Sequence, residues 1–292
     1  MYNIQPPLSS QIPKLRQLWK DTFGDSDAFL DMFFETAFSL ERCVCVTSYT
    51  YLVASLYWFD CEFSGQKIAY IYAVATANEY RGQGICHALM EYTHAHLKAH
   101  GYAGAILSPA EESLFSFYEK MGYRTCAYTK EITYNLTEPK LLLENSKCDP
   151  CLYGNIKSEQ TLYFFKKTAL RLHKISKAEF AQLRRTFLPH NAVIQENENL
   201  DFLEKQAVFY TGENFLFTVL DSEMDGDGSF SLDKHLHGIE FLGDESRIPD
   251  ILNALGYTSC SFRTIGDGKP FGMYLSFTES DSVPDYLGFA FD

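Results

Sequence analysis

From Ile12 onward the apolar residues fall at helical spacing. Ile12, Leu15, Leu18, Trp19 and Phe23 share one face of a predicted helix that ends near Gly24, with Ser9 or Ser10 as its N-cap. Asp25 or Ser26 opens a second helix, whose face carries Phe29, Leu30, Phe33, Phe34 and Phe38. The period then shortens to two. Strands are expected over Arg42–Ser48 and Leu52–Asp60, with Tyr2–Pro6 as an earlier strand and Ser64-Gly65 as a hairpin turn. A central strand follows, in which Tyr72, Val74 and Thr76 alternate with Ala73, Ala75 and Ala77. Beyond a polar turn (Asn78, Glu79, Tyr80), the residues Ile85, Ala88, Leu89, Tyr92, Ala95 and Ala99 mark a helix that stops at Gly101. A strand over Ala103–Ser108, a helix from about Glu111 to Lys120 closed by Gly122, and one or two strands in Tyr123–Leu136 complete this half. The order β-α-α-β-β-β-α-β-α-β predicts an α/β sheet of mixed strand direction.

Pro139 to Gly154 is rich in turn-forming and polar residues and is expected to be a linker. It divides the chain into residues 1–138, the linker 139–154 and a second unit 155–292. In that unit Ile175 or Ser176 starts a helix with Phe180, Leu183 and Phe187, and Leu200–Ala207 suits a shorter one. Val208–Tyr210, Asn214–Leu220 and Gly238–Leu242 suit strands. A helix bearing Ile248, Ile251, Leu252 and Leu255 then ends at Gly256-Tyr257, as the central helix ends at Gly101-Tyr102. The second half therefore reads as a degenerate copy of the first.

Composition narrows the function classes. A formal charge of −13 disfavours a protein that grips a nucleic-acid backbone and suits a cationic substrate. No apolar run is long enough to span a bilayer, and the first residues lack the charged and apolar regions of a signal peptide, so a cytoplasmic protein is expected. The eight cysteines then suit reduced thiols better than a disulfide framework. Cys43 and Cys45 point to one side of a strand, into a core. Cys148 and Cys151 form a lone CxxC without further ligands; Asp221, Glu223, Asp225 and Asp227 mimic a calcium loop whose twelfth position is Leu232; His96 and His100 lack a third ligand. No metal is expected.

The chemistry concentrates where the central strand turns into its helix. Arg81, Gly82, Gln83 and Gly84 stand there; glycines admit close approach of a ligand to backbone amides, and a helix N-terminus favours an anion. This stretch resembles the acetyl-CoA-binding motif of the GCN5-related N-acetyltransferases (GNAT), Gln/Arg-x-x-Gly-x-Gly/Ala. Arg81, Gly84 and Cys86 fall on its fixed positions, Cys86 departing from Gly/Ala while remaining small.

The resemblance implies a GNAT fold in the first domain and a smaller GNAT-like second domain. It also implies acetyl-CoA as cosubstrate, and a small-molecule or peptide amine as acceptor. It assigns the pantetheine arm and thioester to the backbone of Val74, Ala75 and Thr76, and the pyrophosphate to Arg81, Gly82, Gln83, Gly84, Ile85 and Cys86. The run SLFSFYEKMGY is similar to the family's helix with a tyrosine before Glu-Lys-x-Gly-Phe/Tyr, which makes Tyr118 the expected general acid. The other reading of Tyr118 is a core residue on a face with Leu114, Phe117 and Met121. The two aromatic helices at the start would wall the acceptor site, or serve as core.

No base is assigned: Asp60, Glu62 or a chain of waters could serve. In the second half Asp244 and Glu245 stand where a pyrophosphate would sit, so coenzyme binding is expected in the first half alone. The alternatives to an enzyme are a coenzyme-A-binding regulatory or scaffold protein without turnover, and an interaction module built on the acidic second half. The tail SVPDYLGFAFD is too apolar for solvent and should be docked. It would form an edge strand of the second half's sheet or, as resemblance to multidomain aminoglycoside-modifying acetyltransferases implies, bring the Asp292 carboxylates to the active site as a base.

Overall fold

Continuous apolar runs, buried on both faces over Cys43–Val46, Val53–Phe59 and Gly104–Leu107, make the centre of this protein a sheet covered on both sides. The computed structural model describes residues 2–136, 170–221 and 235–291. β1 (Tyr2–Gln5), β2 (Cys43–Ser48), β3 (Tyr51–Phe63) and β4 (Gln66–Thr76) pair antiparallel in that order. The expected turn at Ser64 and Gly65 joins β3 to β4, with both residues at positive φ. β5 (Gly104–Leu107) lies parallel to β4. The tyrosine-containing segment after it forms a single strand, β6 (Arg124–Asn135).

The second half mirrors this order. β7 (His173–Lys174), β8 (Ala207–Gly212), β9 (Phe215–Leu220) and β10 (His235–Gly243) pair antiparallel, and β11 (Ser259–Ile265) lies parallel to β10. The last strand of each half crosses into the other half's territory. β12 (Lys269–Ser276) inserts between β5 and β6, antiparallel to both, while β6 pairs with β11. The described residues thus share one twelve-stranded sheet, β1-β2-β3-β4-β5-β12-β6-β11-β10-β9-β8-β7.

The helices sort onto the two faces by strand alternation. α1 (Ile12–Phe23) and α2 (Asp27–Thr36) pack on the side of Cys43 and Cys45, as do α5 (Lys177–Phe187) and α6 (Glu198–Glu204). α3 (Ile85–Ala99) and α4 (Glu112–Glu119) cover the opposite face, where Val44 and Val46 point. α7 (Ile248–Leu255) closes the second half.

Local chemistry sets the ends. Ser26 caps α2 by accepting from the Phe29 amide, and Ser176 forms a capping box with Glu179 on α5. The serines expected to cap α1 lie instead in a 3-10 turn, Ser9–Gln11, and Pro13 in the first turn of α1 starts that helix. Gly24, Gly101 and Gly256 end their helices at positive φ. None of the helices described is long and apolar enough to cross a membrane.

Candidate active site

The turn singled out in the sequence has the expected backbone. Gly82 and Gly84 adopt φ of 72° and 77°, and Gly84 is the N-cap of α3. A Cβ on either would meet nothing within 4 Å, so both face open space. Glycine is needed there for the left-handed φ. Arg81 Nε donates to the Thr76 carbonyl at 3.0 Å, and Gln83 Nε2 donates to the Glu79 carbonyl at 3.0 Å. The two side chains thereby brace the turn against the end of β4. The Tyr2 hydroxyl donates to Gln83 Oε1 from the sheet's first strand. The first amides of α3 have no acceptor within the helix, as at any helix start, and point out of an open turn.

β4 is opened toward β5 by two features. A bulge shifts its register on β3 between the pairs Ser55–Ala75 and Tyr57–Tyr72, and Ala73 within it has φ 47°. Pairing with β5 is confined to Ala69 and Tyr70 opposite Ala105 and Ile106. Past that point the parallel strands part. Val74, Ala75 and Thr76 therefore lie along a strand edge that β5 does not cover.

A cavity of about 430 Å³ occupies this gap. Val74, Leu107, Ser108, Leu114 and Tyr118 line one side, and Trp19, Phe23, Asp25 and Phe29 from the first helices line the other. Tyr118 is buried, with its ring against Phe117 and Tyr123. Burial pushes the Tyr118 phenol above its ordinary value, with a smaller contribution from Cys86 nearby. Burial also raises the Cys86 thiol to about 11, so this cysteine is neutral and serves packing at the start of α3. Core and site readings of Tyr118 coincide here, because the residue packs with α4 and borders the cavity.

The same holds for the aromatic stripe. Trp19 is fully buried, lies tilted against Phe33 and edge-on to Tyr72, and still borders the cavity. Its Nε1 donates to Asp25 Oδ2 at 2.7 Å, which places a carboxylate on an otherwise aromatic wall. Sequence reading missed Asp25 as a site residue and took it for a helix start. The spacing of Trp19 and Asp25 around the Gly24 turn was the available signal.

Asp60 and Glu62 are placed elsewhere. Asp60 accepts from the Tyr102 hydroxyl and pairs with Lys67, and both acids border a separate cavity with Arg185 and Glu196. They do not border the cleft that holds Tyr118. His96 and His100 stack at 4.1 Å on α3, and His100 Nδ1 bonds the His96 carbonyl. Among the described residues no cluster of metal ligands occurs, and the six cysteines described are free. The CxxC and most of the calcium-like loop lie outside the described residues.

The tail is docked, as its apolarity requires, and does not form the edge strand expected of it. Val193 donates to the Tyr286 carbonyl, and Gln195 exchanges two hydrogen bonds of 2.9 Å with the backbone of Phe289. Tyr286 donates to Glu240, which is paired in bidentate fashion with Arg184; both members of this pair are buried. Gly288 lies against that pair, and a Cβ there would fall 2.1 Å from Glu240 Oε1. Held this way, Ala290 and Phe291 reach the cleft of the first half, where Tyr72 donates its hydroxyl to the Phe291 carbonyl at 2.6 Å. Asp292 lies outside the described residues.

Residues 3–126 match the family model described as an acetyltransferase (GNAT) domain. No curated protein sequence matches the chain. Among solved structures, a GCN5-related N-acetyltransferase from Anabaena variabilis superposes with a TM-score of 0.66 at 15% identity, over 94% of this chain and 72% of that one. One from Kribbella flavida gives 0.64 at 13%, over 94% and 70%. Eis1 from Mycobacterium abscessus gives 0.62 at 10%, over 94% and 73%. At these identities the likeness is one of fold: a mixed-sheet α/β acyltransferase architecture.

Proposed function

We propose that this protein is an acyltransferase whose residues 3–126, which match the GNAT acetyltransferase family model, move the acetyl group of acetyl-CoA to a primary amine of a small molecule or peptide. The observation that carries this reading is convergence on one cleft. Val74, on the edge of β4 that β5 leaves uncovered, and Tyr118 line it together, and β4 leads from there into the open turn at the start of α3.

The pyrophosphate would rest on the amides of Arg81, Gly82, Gln83, Gly84, Ile85 and Cys86, in the favourable field of the α3 N-terminus. The pantetheine arm and thioester would lie along Val74, Ala75 and Thr76, whose amides polarise the carbonyl as charge builds on its oxygen. The amine enters between Trp19, Tyr72 and Asp25, a wall suited to a cation. After the ammonium gives one proton to solvent at the mouth of the cleft, its free amine forms the new bond to the acetyl carbon; the carbon–sulfur bond then breaks, the nitrogen sheds a second proton and the departing thiolate takes one up from solvent.

Tyr118 remains protonated throughout the physiological range because its pKa is raised. A phenol this weakly acidic acts by donating a hydrogen bond to the departing sulfur, since complete transfer to a thiolate of ordinary pKa would run uphill. No metal takes part in this scheme.

The division of labour follows the sequence division: residues 1–138 hold the coenzyme, 139–154 connect, and 155–292 form a GNAT-like half that binds none. Gly243 at the corresponding turn closes on the Asn214 carbonyl, and Asp244 and Glu245 carry the wrong charge for a phosphate. Thiol release from acetyl-CoA across a panel of amines tests the reading. Acetyl-CoA binding with no release for any amine would favour a regulatory protein without turnover.

A further inference from the structure

The parallel pair in the second half parts as the one in the first half does. β10 and β11 are bonded only through His235–His237 opposite Ser259–Ser261, after which β10 bends away to pair with β9. A cavity of about 610 Å³ lies at this second parting, lined by Gly238 and Ile239 of β10 and by Ser261 and Arg263 of β11. It shares Ser108, Pro109, Ala110, Ala290 and Phe291 with the cleft that holds Tyr118. The two partings therefore open onto one wall, made of the loop after β5 and the end of the tail.

Their linings differ in charge. The first cleft offers Asp25 and aromatic rings; the second has Lys130, Arg263 and Lys269 against Glu131 in a chain of formal charge −13. Lys130 is held by Glu245. The Arg263 guanidinium lies 4.2 Å above the Phe271 ring, which fixes its plane. Lys269 is 79% exposed and only loosely paired with Glu131 at 3.4 Å, a surface contact that an incoming anion can replace.

The geometry points to the second parting as the subsite for the far end of the acceptor, with Arg263 and Lys269 binding an anionic group, carboxylate or phosphate, carried at a distance from the amine. The acceptor is then an elongated amine with a negative terminus, such as a short peptide with a free C-terminus. This inference rests on the acetyl-transfer reading for its orientation, with the amine at Asp25 and the anion at Arg263.

Calorimetry with full-length protein saturated with coenzyme A tests it without turnover. The probes are di- to tetrapeptides, their C-terminal amides, and aminoalkyl phosphates with matching alcohols. A charge-assisted contact predicts about tenfold tighter binding of the charged member of at least one pair. Arg263→Gln should erase most of that preference, Arg263→Lys should restore part of it, and Lys269→Gln, at an exposed position that cannot unfold the chain, should reduce it. Whichever of carboxylate and phosphate shows the larger preference identifies the group. Equal binding of charged and neutral members, no binding of either, or a preference that survives both neutral variants would overturn the inference. A preference without thiol release in the matching assay would instead sink the acetyl-transfer reading and leave the subsite standing.

Discussion

The helix that carries Tyr118 was legible in the sequence, and the residue's burial sharpens what its removal should do. Tyr118→Phe keeps the packing against Phe117 and Tyr123 and removes only the donor, so kcat should fall by roughly a hundredfold with little change in acetyl-CoA affinity. Steady-state kinetics beside a thermal melt check this, and near-normal kcat would return the residue to a core role. Because its pKa is raised, no loss of rate from Tyr118 ionisation should appear below about pH 10. His94 on α3 behaves oppositely. Burial, with help from His87, holds it at about 4, and its Nε2 bonds the Tyr123 hydroxyl at 2.8 Å. The unfolded chain binds that proton near pH 6.5, so stability is present above that value and is lost as pH falls toward 4, by at most about 3 kcal/mol. Melting curves of the wild type and His94→Gln from pH 7 to pH 4 should converge toward the acid end. Parallel curves would refute the assignment.

At the scale of elements, the start of α3 and the seating of the tail carry the expectations. Gly84→Asp places a carboxylate at the proposed phosphate seat, whereas Gly84→Asn has the same shape and tolerates the φ of 77° equally well. Acetyl-CoA affinity should drop much further for Asp than for Asn, by about tenfold or more. Equal losses would point to backbone strain alone. The tail depends on the Arg184–Glu240 pair, which sits beneath Tyr286 and Gly288. Arg184→Leu should cost about 3–5 kcal/mol because it strands a buried carboxylate, and the double change with Glu240→Leu should cost less. Chemical denaturation of the two variants decides whether the pair acts as a unit.

The whole molecule depends on the exchanged last strands. Without β12, the sheet of the first half loses the strand between β5 and β6 and leaves the facing edges of both bare. A fragment ending at residue 136 should therefore aggregate and fail to bind acetyl-CoA, and coexpression with the remainder should rescue it. A soluble fragment that binds the coenzyme would show that β12 is dispensable. The tail adds to this dependence, since Phe291 packs among Phe59, Tyr70 and Phe202 from both halves.

Most elements, the mixed sheet and the backbone of the glycine turn before α3 were readable because each follows from contacts within a few residues. Hydrophobic period, caps at Ser26 and Ser176, and glycines at positive φ are local signals, and the Arg81–Cys86 turn is a local motif. Three features depended on the tertiary structure. β12 looked like any strand, and its place between β5 and β6 is set by pairing partners more than a hundred residues away. Asp25 joined the cleft because α1 and α2 pack over β4, which brings the Trp19 turn opposite Tyr118. The tail's apolarity demanded burial yet gave no address. Glu240, Gln195 and Tyr72 supply it, and these partners converge only once both halves share one sheet.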